Sequence, residues 1–253
     1  MNRSLIISAN VLSTLMLSAC LTTGGGSIDA ETGLSAAADV VKAATVSDAD
    51  LQAATKEMMA QMDAQNPVAP KTDKYGKRLA DLTKGFTNED GLNLNFEVYL
   101  VKDVNAFATP DGSIRVFAGL MDMMTDDELR FILGHEIGHV KLGHSLKRAR
   151  TSYLTSAAAK VAGQSLNSQQ LADLGSKFVN AQYSQSNEFE ADAYGVGFLK
   201  RRNFNMSAGE SAMRKMAEME TKGGGGSSGI TNFFSSHPDS KKRAEKIHDL
   251  SSK

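Results

Sequence analysis

The chain has 253 residues, with 28 basic and 29 acidic side chains, a formal net charge of −1 and a mean hydropathy of −0.27. So even a balance gives no electrostatic case for nucleic acid, and no nucleic-acid role is assigned. One cysteine excludes an internal disulfide framework, and the length suits one sizeable core with a helical appendage rather than two unrelated domains.

The N-terminus reads as an export leader. Met1-Asn2-Arg3 gives a positive start, and Leu5 to Leu17 gives an apolar run too short to span a bilayer. Leu17-Ser18-Ala19-Cys20 then has the form of a bacterial lipoprotein cleavage box. Residues 1–19 are therefore expected to be removed as a signal peptide, leaving Cys20 as the lipid-modified N-terminus. Several acyl chains on Cys20 would hold the protein firmly at a membrane. Residue 21 is Leu, where Asp usually marks inner-membrane retention, so the expected address is the outer membrane, facing the periplasm. Residues 20–33, with the Thr/Gly/Ser-rich run Thr22 to Ser27, form a flexible tether in this reading.

Residues 34–70 are expected to be a helical segment, with a helix over Asp48 to Gln65 ended by Pro67 and Pro70. Residues 71–253 would form the domain that carries the chemistry. Leu94, Phe96, Val98 and Leu100 alternate with Asn93, Asn95, Glu97 and Tyr99, the period of a half-buried strand. A hairpin should follow, turned by Pro110-Asp111-Gly112, with Ile114 and Val116 resuming the alternation. Met121, Met123 and Met124 read as core filler.

A helix start stands at Thr125-Asp126-Asp127-Glu128, which has the capping-box form. Leu129, Ile132, Leu133, Ile137 and Val140 continue at helical spacing, and the run Lys147 to Arg150 reads as cations at the helix C-terminus. Gly134 and Gly138 each cost about 1 kcal/mol against alanine, a cost that close packing by another element would justify. Three of the five histidines, His135, His139 and His144, lie in this stretch. At about 100° per residue, His139 falls roughly 40° from His135 and shares its face, whereas His144 comes round about 180° away. His135-Glu136-x-x-His139 is the pattern of a zinc site with Glu136 as general base. Catalytic zinc takes a third protein ligand. His144 is not it, because a third histidine in such a run stands about six residues after the second, behind a turning glycine; a solvated or structural role is expected.

Ser186 to Tyr194 holds three carboxylates. On a helix, Glu188 and Asp192 lie about 40° apart while Glu190 points some 200° from Glu188, so one face carries a pair suited to a ligand and an acceptor for a ligating imidazole.

His135-Glu136-Ile137-Gly138-His139 together with Glu188-Phe189-Glu190-Ala191-Asp192 resembles the HtpX and CAAX prenyl protease (Ste-type) family of zinc metallopeptidases. Asn105-Ala106-Phe107-Ala108, Gly112, Val116-Phe117-Ala118-Gly119-Leu120, and Ser236-His237-Pro238 with Arg243 extend the likeness over residues 71 to 250. Without the long apolar spans of membrane-embedded members, the chain is similar to the soluble lipoprotein branch. The resemblance implies Glu188 as third ligand, one zinc ion per chain, and a zincin-like metallopeptidase domain, α+β and mainly α, with a small sheet beside the zinc helix. It implies peptide hydrolysis of misfolded or unassembled envelope proteins. An extended substrate is expected to add to the edge of the small sheet, main-chain hydrogen bonds giving affinity without strong sequence demands. A lipoprotein assembly factor or holdase with a structural zinc site is the alternative. His237 follows the glycine-rich stretch Gly223 to Gly229 and is placed either to gate the zinc, or to bind substrate, as is Arg243; equally, His237 would precede a last helix with Pro238 at its first position.

Overall fold

The computed structural model describes residues 46–161, 178–179, 181–221 and 233–252. The leader, Cys20, Leu21, the tether and the stretch Gly223 to Gly229 lie outside the described residues.

In chain order the elements are α1 (Asp48–Gln65), α2 (Lys74–Leu82), β1 (Asn95–Tyr99), β2 (Ala106–Ala108), β3 (Ser113–Phe117), α3 (Ala118–Met123), α4 (Asp126–Lys141), α5 (His144–Val161), α6 (Gln185–Arg201), α7 (Ala208–Thr221) and α8 (Ser240–Ser251). The architecture is mainly helical with one three-stranded sheet of order β1-β3-β2. Helix α1 has the expected bounds, with Ser47 and Asp50 closing a capping box. Among the described residues no helix is long and apolar enough to cross a membrane.

The expected hairpin is β2–β3, antiparallel from Ala106↔Val116 to Ala108↔Ile114, and Gly112 turns it at φ +87°. Strand β1 joins differently, running parallel to β3 from Asn95↔Ser113 to Tyr99↔Phe117. Its alternation also departs from expectation: Tyr99, on the polar register, is fully buried, while Leu100 is 37% exposed. The reason is a second covered face. Met59 of α1, Tyr99, Phe107 and Phe178 form a cluster apart from the main core, and α1 supplies Asp63 to the Tyr99 hydroxyl (2.8 Å) and to Arg115 Nε and Nη2 (2.9 and 2.8 Å). Ala69 N–H donates to Val98 and Leu100 N–H to Pro67, pairing the C-terminal end of β1 on its outer side, and β2, with Ala106 to Ala108 buried, is the other edge strand. Met121 and Met124 are core, as read.

Helix α4 begins on the Thr125–Glu128 capping box and crosses α6 at very short range. A Cβ on Gly134 would lie 2.7 Å from Phe198, one on Gly138 3.0 Å from Tyr194, and one on Gly195 3.2 Å from the His135 backbone nitrogen. The glycines thus let the two backbones approach, which brings the carboxylates of α6 to the histidines of α4. The end of α4 falls earlier than the cations suggested. Gly143, at φ +73°, breaks the chain after Leu142, and a new helix starts at His144. Lys147, Arg148 and Arg150 therefore occupy the first turns of α5, not the end of α4. The last helix likewise starts at Ser240 rather than Pro238, with Asp239 left-handed at its N-cap.

Candidate metal centre

Four buried side chains from three parts of the chain converge: His135 and His139 of α4, Glu188 from the first turn of α6, and His237 just before α8. Each offers an atom within 4.8 Å of all the others. His135 Nε2 lies 3.0 Å from His139 Nε2, Glu188 Oε1 lies 3.3 Å from His139 Nε2, and Glu188 Oε2 3.6 Å from His135 Nε2. His237 Nδ1 stands 3.2 Å from both Glu188 oxygens, and its Nε2 3.6 Å from Glu136 Oε1.

The His135 and His139 rings are aimed from behind. His135 Nδ1 lies 2.9 Å from Asp192 Oδ1, so its N–H donates outward and leaves the Nε2 lone pair facing the cluster. Arg243 grips Asp192 through Nε (2.8 Å) and Nη2 (2.7 Å) and reaches Glu188 Oε2 through Nη1 at 2.6 Å. Fully buried against these two carboxylates, Arg243 stands behind the ligand set, its Nη1 in ion-pair contact with Glu188 but without a hydrogen bond. His139 Nδ1 sits 3.1 Å from His144 Nδ1, and His144 Nε2 3.4 Å from Glu190 Oε2. The helix break explains this: His144, on the far side of a continuous helix, folds back behind His139 in the structural role left open for it. Tyr183 stacks on the other side of the His139 ring, centroids 3.8 Å apart and planes 15° off parallel.

Protonation suits a cation. Burial, reinforced by His135, holds the His139 pKa well below that of a free imidazole, so its nitrogen is free to ligate. Burial would raise Glu188, but the Arg243 charge and His237 overrule it and keep the carboxyl well below its usual range. Burial would raise Asp192 too, and Arg243 again lowers it. Glu136 is fully buried beside the cluster, and neither of its carboxylate oxygens has a hydrogen-bond partner. Three or four nitrogen and oxygen donors with a free carboxylate alongside are the donor set that catalytic zinc takes, and the residues fit one such ion.

The sequence brought forward eight site residues; Cys20 lies outside the described residues, and the other seven, His135, Glu136, His139, Glu188, Asp192, His237 and Arg243, meet in one place. Glu190 points away to His144 and to Ser186 Oγ (3.0 Å). Sequence reasoning missed His144 behind His139 and Tyr183 against it; the signal for the first was Gly143, a helix-ending glycine.

The family model described as Peptidase family M48 matches residues 69–251. Among curated proteins the chain is 39% identical over 257 residues to "Metalloprotease YcaL" of Escherichia coli (strain K12), covering 98% of each. It is 38% identical over 254 residues to "Metalloprotease LoiP" of the same organism, covering 98% of this chain and 96% of that one. It is also 30% identical over 205 residues to "Mitochondrial metalloendopeptidase OMA1" of Schizosaccharomyces pombe, 78% of this chain and 59% of that one.

Proposed function

The chain belongs to peptidase family M48 and is a zinc metalloendopeptidase, and we propose that it works as a lipid-anchored enzyme of the cell envelope, cutting misfolded or unassembled envelope proteins. In this reading His135, His139 and Glu188 hold the ion, while Asp192, Arg243 and His144 fix the ligands. Zinc so held supplies a Lewis acid that activates water and polarises a peptide carbonyl. Glu136 takes the proton from the attacking water and returns it to the leaving nitrogen, a task that needs a carboxylate with free oxygens. His237 occupies the open side, where it competes with water and substrate until it is displaced.

The observation that carries the reading is the pair of unpartnered, buried Glu136 oxygens beside the cluster. A holdase with a purely structural zinc site would have no use for them. Degradation of an unfolded protein by the full chain and by Glu136→Gln, with zinc measured on each, tests it. Cleavage should fall by about a hundredfold or more with zinc unchanged; equal cleavage would remove Glu136 from the chemistry.

The envelope address is supported by the leader and by Leu17-Ser18-Ala19-Cys20, with Leu21 favouring the outer membrane, and in this reading the chain is a lipoprotein that resembles the HtpX and CAAX proteases. Residues 20–33 then act as tether, 34–70 as an N-terminal helical segment and 71–253 as the peptidase domain. Cys20→Ser should move the protein out of the membrane fraction or leave the leader uncut. A processed variant that stays membrane-bound would point to another anchor.

A further inference from the structure

Beside the metal cluster, beyond the Tyr183 ring, lies a cavity of about 270 Å³ that neither the ligands nor Glu136 enter. It is bounded by the first turns of two helices, His144, Lys147 and Arg148 of α5 on one side and Tyr183, Ser184 and Asn187 at the start of α6 on the other. Both helices present their positive ends there. Two cations in the first turn of α5 are unfavourably placed with respect to that dipole, and no carboxylate lines the cavity among the described residues. Glu190 is near, but His144 and Ser186 already engage it.

Arg148 makes the case. It is only 7% exposed, held between the rings of Phe178 (4.4 Å) and Tyr183 (4.0 Å), and its Nη1 donates to Ala181 O at 3.1 Å. Its Nε and Nη2 have no partner, and neither has the Tyr183 hydroxyl. A buried guanidinium with two idle donors is costly unless an anion completes it. Guanidinium fork, phenol and two helix N-termini together suit a planar carboxylate. Because Tyr183 also stacks on His139, whatever sits here lies one ring from the reaction centre.

We propose that this cavity is a substrate subsite that accepts a carboxylate of the peptide, an Asp or Glu side chain or a free C-terminus, on Arg148 and Tyr183. The proposal rests on the peptidase reading and adds a substrate preference to it.

Matched peptides decide it, with Glu exchanged for Gln at each position flanking the scissile bond, and a second set with free or amidated C-termini. The zinc-loaded full chain should favour one Glu position, or the free C-terminus, by about tenfold in kcat/KM, mostly through KM. Arg148→Gln and Arg148→Met should bring that ratio to within about twofold, the scale expected when a charge-assisted hydrogen bond is lost. Should both variants fail to fold, Lys147→Gln at the exposed rim should weaken the preference, and N-acetylglutamate should inhibit the wild type where N-acetylglutamine does not. A wild type indifferent to both exchanges, or a preference that survives in the Arg148 variants, overturns the proposal. If no peptide is cleaved at all, the peptidase reading fails separately. Calorimetry with N-acetylglutamate then decides the subsite: heat with the wild type and none with Arg148→Gln supports it, and no heat with either sinks it.

Discussion

The cluster under α1 and the cluster between α4, α6 and α8 are built from the same kinds of side chain, yet they end differently. Under α1, Asp63 accepts from Tyr99 and twice from Arg115, whose Nη1 goes on to Asn95 Oδ1 at 2.9 Å. No member of that group has an unpartnered buried side-chain atom. At the metal centre Asp192 is just as well paired, to His135 and Arg243, but Glu136 keeps two idle oxygens, Arg243 Nη1 makes no hydrogen bond, and Arg148 and Tyr183 keep idle donors next door. Burying a polar group without a partner is costly. A cluster that only holds the fold together completes itself, whereas one that handles substrate leaves groups open where the substrate will stand.

That contrast predicts different failures. The largest effect should come from Glu188→Ala, which removes a charged ligand at the centre: most of the zinc should be lost, and activity should fall by about a hundredfold or more. Glu190→Ala should keep its zinc, because Glu190 faces His144 on the far side of His139. Metal analysis of the two purified variants checks this. A zinc-depleted Glu190→Ala beside a full Glu188→Ala would give the third-ligand role to the wrong carboxylate here.

His237→Ala should have a smaller effect of opposite sign. Its ring lies against Glu188 and Glu136 without being fixed by a partner behind it, as Asp192 fixes His135. Removing it should leave zinc content intact and raise basal cleavage severalfold. Full zinc with much reduced cleavage would place His237 in substrate binding or oxyanion stabilisation instead.

How far these two clusters can be read from the sequence follows from where their members lie. The zinc helix was legible because its signals are local: a capping box at Thr125, helical apolar spacing, and two histidines one turn apart. Glu188 and Asp192 share a face by spacing alone, but their meeting with α4 depends on glycines in both helices, visible only as unexplained costs at Gly134 and Gly138. The parallel pairing of β1 with β3 is set by packing across the chain, and the second buried face of the sheet by α1, so the alternation around Tyr99 pointed to solvent. Cations at Lys147 to Arg150 fit a helix end equally well as a helix start, and only Gly143 separated the two. The Arg148–Tyr183 cavity has no local signal at all, since its two walls are contributed by different helices.

The smallest predicted effect belongs to the self-completed cluster, and it concerns stability rather than catalysis. Burial alone would raise the Asp63 pKa, but hydrogen bonds from Arg115 and Tyr99 pull it below the ordinary carboxylate range. A carboxyl whose folded pKa is depressed stabilises the fold fully above its unfolded pKa of about 3.9, and that contribution drains away as pH falls through the lower folded value. Asp63→Ala should therefore cost about 1–3 kcal/mol near neutral pH, partial exposure of Asp63 keeping it at the modest end for a pair whose Arg115 is buried, and zinc content should not change. Glu188 and Asp192 are depressed too and will destabilise every variant in acid, so the quantity to follow is the difference in denaturant midpoint between wild type and Asp63→Ala. That difference should be greatest near neutrality and shrink as the pH drops below the carboxylate range. A difference that held constant into acid would mean that Asp63 contributes packing rather than charge, and that the link between α1 and the sheet is made by the apolar cluster of Met59, Tyr99 and Phe107.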